Sequence, residues 1–220
     1  MKKLNKDRAG CKDVFHAFLL QGVKYAGKYD FPVIREEHLI PRKCIKFSDS
    51  IREKKDFHQW VVFYEDDFQF ERIWNNPKKY IDILRKYDGV ITPDFSLYYD
   101  MPLAMQLWNI YRSRAIGAWL QNNGIRVIPN IRFGSPETYE IVCDGISKHS
   151  VIAVGSLGCI KRLNYRDEFE KALLSIVQTL EPETLIVYGS LPGNVKTIKQ
   201  LGINIVNFQS DYSHFQKEVR

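Results

Sequence analysis

Acidic side chains bunch at two places in this chain, Glu65-Asp66-Asp67 and the Pro93-Asp94 turn. Two or three carboxylates gathered from Asp66, Asp67 and Asp94 would present the hard oxygen ligands that suit Mg2+ or Mn2+. An ion held there would activate water against a phosphoester, with Asp66 and Asp94 as the catalytic pair. The competing reading is a solvated acidic loop and a turn aspartate after proline. Two glycine-bearing stretches, Gly155-Ser-Leu-Gly-Cys and Tyr188-Gly-Ser-Leu-Pro-Gly, follow apolar runs and offer backbone N–H groups and hydroxyls to a phosphate. Neither GxxxxGKS/T nor GxGxxG occurs, so tight strand-to-helix turns explain those glycines equally well. Arg112, Arg114 and Arg132 could clamp an anion or make surface ion pairs. The ligand-binding set read from these patterns is Arg114, Asn130, Arg132, Ser156, Gly158, Tyr188, Gly189 and Ser190.

Other chemistries find less support. Cys11, Cys44, Cys143 and Cys159 are scattered without a CxxC pair or a histidine cluster, which indicates reduced thiols and neither a disulfide framework nor a zinc site. Cys159 follows a glycine after a strand, but no histidine follows a strand on the same rim and His149 precedes one, so no triad forms and an inert thiol is the alternative. His16 and His38 fall in a poorly patterned amino-terminal part. The segment holding Phe57, Trp60, Phe63, Tyr64, Phe68, Phe70 and Trp74 is interleaved with acids, which would repel a phosphate chain and favours core and wall over a base-stacking groove.

The net charge of +6 favours anionic partners, nucleotide or nucleic acid, although much of the excess sits in Lys2, Lys3, Lys6, Arg8 and Lys12 and in Arg52, Lys54 and Lys55, where solvated charge is the plainer explanation. No apolar run is long enough to cross a bilayer and the lysine-rich start is not followed by a signal core, which predicts a cytoplasmic protein without a membrane partner.

The elements that must position these residues repeat. Apolar runs at Trp60–Tyr64, Val90–Thr92, Arg126–Ile131, Val151–Val154, Thr184–Tyr188 and Ile203–Val206 predict six strands, most separated by helical patterns. Asn76-Pro77 opens one helix. Asp100 with Pro102 predicts the start of a long one whose stripe runs Ala104, Trp108, Tyr111, Ala115 and Trp119, with Gly124 as its stop. Ser135-Pro136-Glu137 opens another, closed by Gly145, and Phe169, Leu173, Ile176, Val177 and Leu180 line a further one. Successive βα units give a mostly parallel sheet of about six strands with crossover helices, either a partial (β/α) barrel or an open Rossmann-like sheet. One α/β domain is expected over 1–220, with 1–56 an amino-terminal extension, 57–209 the βα repeat core and 210–220 a tail. Every polar residue singled out above then lies at the carboxyl ends of the strands, on one rim.

Trp60-Val-Val-Phe-Tyr-Glu-Asp-Asp, Phe70-Glu-Arg-Ile-Trp-Asn-Asn-Pro-Lys-Lys-Tyr and Ile91-Thr-Pro-Asp-Phe-Ser-Leu-Tyr-Tyr-Asp-Met-Pro resemble blocks of the family called domain of unknown function 4417. Trp108-Asn-Ile-Tyr-Arg-Ser-Arg-Ala-Ile-Gly, Val127-Ile-Pro-Asn-Ile-Arg-Phe-Gly, Gly155-Ser-Leu-Gly-Cys-Ile-Lys and Val187-Tyr-Gly-Ser look like its remaining blocks, so the resemblance covers most of residues 11–209. It implies a setting in bacteria, phages or other mobile elements and assigns no catalytic role. Three functions fit that setting: a phosphate-ligand protein with or without metal-assisted hydrolysis, a non-catalytic module that sequesters a nucleotide or binds a host factor, and a nucleic-acid-binding accessory protein working through its basic tail.

Overall fold

A computed structural model of the chain describes residue 13 and residues 15–52, 56–157 and 163–209. A two-stranded antiparallel hairpin, β1 (Tyr25–Ala26) and β2 (Phe31–Pro32), precedes β3 (Cys44–Lys46) and the single-turn helix α1 (Phe47–Ser50). Then come β4 (Trp60–Val62), α2 (Asp67–Asn75), α3 (Ile81–Leu84), β5 (Gly89–Ile91), α4 (Leu103–Asn122), β6 (Val127–Ile128) and α5 (Thr138–Ile141). The chain continues through β7 (Val151–Gly155), α6 (Leu163–Leu180), β8 (Thr184–Tyr188), α7 (Val195–Gln200) and β9 (Asn204–Phe208).

Seven strands, β3 to β9, run parallel and lie in the order in which they occur in the chain. The expected single sheet of about six strands is therefore corrected: β3 is a seventh, from the stretch read as extension, and the strands divide four and three. The division falls at Pro129. It has no N–H to give the C=O of Val151, and the Val151 N–H is taken by Glu37 C=O at 2.8 Å, so only a single bridge, Asn130 to Ala153, joins the two sheets.

The sheet is rolled. Tyr64, two residues beyond β4, and Tyr188, at the end of β8, stack with ring centroids 4.5 Å apart. In a flat sheet their strands would lie four steps apart, roughly 19 Å at the usual spacing of about 4.8 Å. Alternation along each strand separates two faces accordingly. Trp60, Val62, Tyr64, Ile91, Ile128, Val151, Ala153, Ile186 and Tyr188 pack together inside, while Val61, Phe63, Val90, Val127, Ile152, Val154, Leu185 and Val187 face the helices. This is the partial-barrel alternative. It is open along one seam, between β3 and β9.

Outside the barrel, α4 departs from the expected stripe, because it is buried around most of its circumference from Asn109 to Leu120. The short 3-10 turn Ala17–Leu20 and the β1–β2 hairpin cover the side that would otherwise meet water. The turn is held by Asp13, whose carboxylate accepts from the N–H groups of Ala17 (2.8 Å) and Phe18 (3.1 Å). The start of α4 also differs: Pro102 occupies the N-cap position, without a side-chain cap, and Asp100 lies outside the helix. Gly124 does follow its end, at φ +79°. The acidic-aromatic stretch before Asn76 is itself a helix, α2, with Phe70, Ile73 and Trp74 turned into the core.

Candidate functional site

The carboxyl ends of the strands open on a mouth where residues from five strands meet. Tyr64 comes from the interior row Trp60, Val62, Tyr64; its hydroxyl donates to Asn130 Oδ1 at 3.0 Å. Asn130, just past Pro129 after β6, donates its amide to Asp94 Oδ1 at 2.7 Å, and its own N–H goes to the Thr92 hydroxyl at 2.9 Å. Arg132 lies two residues further, which returns it to the same side, with its guanidinium 3.7 Å from Asp94 Oδ2. Asp94 is thus held from two directions at the end of β5.

The other half of the mouth is built from backbone. At Gly155 a Cβ would sit 2.8 Å from the Tyr64 ring and 3.2 Å from Asp94 Oδ2, so the bare glycine is what lets the tyrosine lie across the opening. Ser156 N–H donates to Tyr188 C=O at 3.0 Å, and Gly189 N–H donates to Phe208 C=O at 2.8 Å. Gly189 holds φ +111°, a conformation only glycine adopts readily, and a Cβ there would stand 2.6 Å from the Ser156 hydroxyl. Ser190 is exposed.

Burial dominates the electrostatics. The Asp94 carboxyl, 12% exposed, is raised above the ordinary carboxylate range by desolvation, with Arg132 and the Asn130 amide pulling the other way. Desolvation and the neighbouring Asp94 charge push the Tyr64 phenol well up, so it is a donor at neutral pH. At the seam the Cys44 thiol is pushed up to about 12 by burial and is not a nucleophile.

Of the residues singled out in the sequence, Asp94, Asn130, Arg132, Ser156, Tyr188 and Gly189 converge on this mouth. Arg114 does not present itself to a ligand. It is 2% exposed and donates to the backbone C=O of Asn130 (3.3 Å) and Val142 (2.7 Å), beside a cavity of about 10 Å3, the size of one water. A helix position facing a ring of strand-end carbonyls is a bracket, and nothing in local sequence separates that from an anion clamp. Arg112 is likewise internal, paired with Glu71 and Asn109 and lying 3.9 Å over the Phe95 ring.

The acids disperse. Asp67 accepts from Ser96 through both oxygens, at 3.1 Å from N–H and 2.8 Å from the hydroxyl, while Asp66 is exposed ahead of α2 and makes no side-chain cap. Glu65 binds the Ser48 N–H at 2.9 Å. Among the described residues no three of His, Cys, Asp and Glu gather as a metal-holding group. Gly158 and Cys159 lie outside the described residues, as do Lys2, Lys3, Lys6, Arg8, Lys12, Lys54 and Lys55. Tyr64 and Lys46 were the residues that sequence patterns did not single out for the site. The signal for Tyr64 was the alternation 60, 62, 64 along an apolar strand; β3 was too short and too polar to give one for Lys46.

Fold and mouth together define a parallel (β/α) partial-barrel protein with a polar strand-end opening. Residues 23–209 match the family described as Domain of unknown function (DUF4417), and the chain belongs to that family. It is similar to the Gene 1 protein of Mycobacterium phage L5, 38% identical over 129 residues that cover 59% of this chain and 56% of the relative. The Gene 1 protein of Mycobacterium phage D29 is 35% identical over 129 residues, 59% of this chain and 48% of that protein. The chain spans about half the length of these curated relatives. No solved structure matches it. No helix of the described residues is long and apolar enough to cross a membrane.

Proposed function

We propose that the strand-end mouth binds a phosphate-containing ligand, a nucleotide or a nucleic-acid end, in the service of a phage or related element. The observation that carries this reading is the convergence of Tyr64, Asp94, Asn130, Arg132, Gly155, Ser156, Tyr188 and Gly189 from five strands on one opening. Parallel barrels place their ligands at this end, where the loops vary without disturbing the core. Arg132, 17% exposed, brings a guanidinium suited to phosphate oxygens. Asp94 orients it in the meantime.

Binding without turnover is favoured over metal-assisted hydrolysis by the partners of the acids. Asp67 is engaged at both oxygens by Ser96, and Asp94 by Asn130 and Arg132, which leaves Asp66 as the carboxylate open to an ion. Thermal-shift and calorimetric titrations with nucleoside monophosphates, with and without Mn2+, test both parts. Arg132→Gln is expected to weaken binding about tenfold or more, the worth of a charge-assisted hydrogen bond. Absence of any shift with phosphate compounds rejects the reading. Mn2+-dependent phosphate release that disappears in Asp94→Asn would replace the binding module with the hydrolase.

A further inference from the structure

The rolled sheet ends at a seam that the mouth network does not explain. Among the described residues β3 pairs only with β4 and β9 only with β8. A cleft of about 240 Å3 separates the two edges, walled by Cys44 to Lys46 and Asp49 on one side and by Tyr188, Phe208 and Gln209 on the other. Each edge of a parallel ladder directs N–H and C=O groups outward, so these walls carry backbone donors and acceptors beside their side chains. Tyr188 and Phe208 are register partners on adjacent strands, which sets their rings side by side on the inner face. The Tyr188 ring also stacks on Tyr64 at an interplanar angle of 19°. Tyr64, Tyr188 and Phe208 therefore form a row of three rings that leads from the Asp94–Arg132 network into the cleft.

The geometry points to this cleft as the subsite for the heterocyclic base of a nucleotide, with the phosphate outside it at the mouth. The inference rests on the reading above and names the rest of the ligand. An inorganic anion needs no aromatic row, and an apolar ligand would leave Lys46, Asp49 and Gln209 unmatched. A planar heterocycle uses both, its face against a ring and its edge against amide, carboxylate and backbone groups. The cleft has room for a base but not for base, sugar and phosphate together, so the ligand must extend along the ring row toward Arg132.

Calorimetric titration of the full chain with inorganic phosphate, ribose 5-phosphate, nucleosides and nucleoside 5′-monophosphates separates the two parts. The monophosphates are expected to bind about tenfold more tightly than ribose 5-phosphate, and Phe208→Ala is expected to remove that margin, on the order of one stacked base, while ribose 5-phosphate affinity is unchanged. Gln209→Ala, at an exposed strand end, should alter the preference among the four bases and keeps the test decisive where Phe208→Ala does not fold. Equal affinity for ribose 5-phosphate and the monophosphates, or a margin untouched by both variants, overturns the base subsite and leaves the phosphate reading standing. Nucleoside binding that Phe208→Ala abolishes, with no gain from the phosphate, supports the subsite and overturns the phosphate reading. Failure of all four compounds to bind overturns both.

Discussion

The two halves of the barrel are made differently. Strands β3 to β6 are two or three residues long, and the core behind them is aromatic, with Phe47, Phe63, Phe70, Phe95, Tyr80 and Trp119 in mutual or near contact. Strands β7 to β9 are five residues each in unbroken register, and α6 covers them with the aliphatic side chains Leu173, Ile176, Val177 and Leu180. The mouth follows the same division. Its side-chain chemistry, Tyr64, Asp94, Asn130 and Arg132, comes from the short-strand half, while the long-strand half contributes bare backbone at Gly155 and Gly189. Short strands that stop early release their following residues to point into the opening; long, regular strands supply a floor for them.

Substitutions can break or sharpen that contrast. The largest effect is expected for Phe70→Ala, about 3–5 kcal/mol, since large rings crossing at 5.3 and 5.6 Å centroid distances leave a void that neighbours of the same shape cannot fill. Leu173→Ala is expected at the lower end of about 2–5 kcal/mol, and equal losses in urea unfolding would remove the energetic meaning of the contrast. Arg114→Met strands the carbonyls of Asn130 and Val142, at about 1–3 kcal/mol for each, and should loosen the short-strand side of the mouth first. Gly155→Ala drives a methyl into the Tyr64 ring and is expected to cost about 1–3 kcal/mol; Tyr64→Leu in the same chain should recover part of it, and no recovery would sever the link between the halves.

Two smaller effects depend on pH. The Asp94 carboxyl is raised in the folded state, so its contribution to stability is fully present below the unfolded pKa and declines as pH rises through the folded one. Thermal unfolding between pH 3 and pH 7 should show Asp94→Asn gaining on the parent protein as pH rises; a gap that is constant, or that closes, would mean Arg132 and Asn130 outweigh burial. The smallest effect belongs to His38, before β3, and Glu183, before β8, which meet at 2.9 Å across the opposite end of the barrel. Glu183 raises the His38 pKa, so whatever the pair contributes is present at acid pH and lost as pH rises through that raised value. His38→Gln should lower the melting temperature slightly at pH 5 and not at pH 8.

The six later strands were legible because their apolar runs are continuous and bounded by proline, glycine and acids, as at Trp60 and Thr184. β3 was not, since Cys-Ile-Lys is too short for any period, and neither was the choice of barrel over open sheet, which turns on the contact between Tyr64 and Tyr188, 124 positions apart. The rim as a location followed from the parallel order alone. Its membership did not: Arg114 and Arg132 look alike in sequence, yet one faces buried carbonyls from a helix and the other follows a strand into the opening. Asp66, Asp67 and Asp94 looked like a set because they all follow strands, whereas Ser96 draws Asp67 to itself.

The open seam has a consequence for how this molecule fluctuates. A closed barrel protects its amides cooperatively, but here β3 and β9 each have one flank without a strand partner among the described residues. Hydrogen exchange should therefore run inward from the two edges, with amides of Asn204–Phe208 and Cys44–Lys46 exchanging through local fraying and those of β5 and β8 only through global opening. Anything that lodges between the edges would turn a sheet with two ends into a ring, and its arrival would be read as slowed exchange in β3 and β9 together.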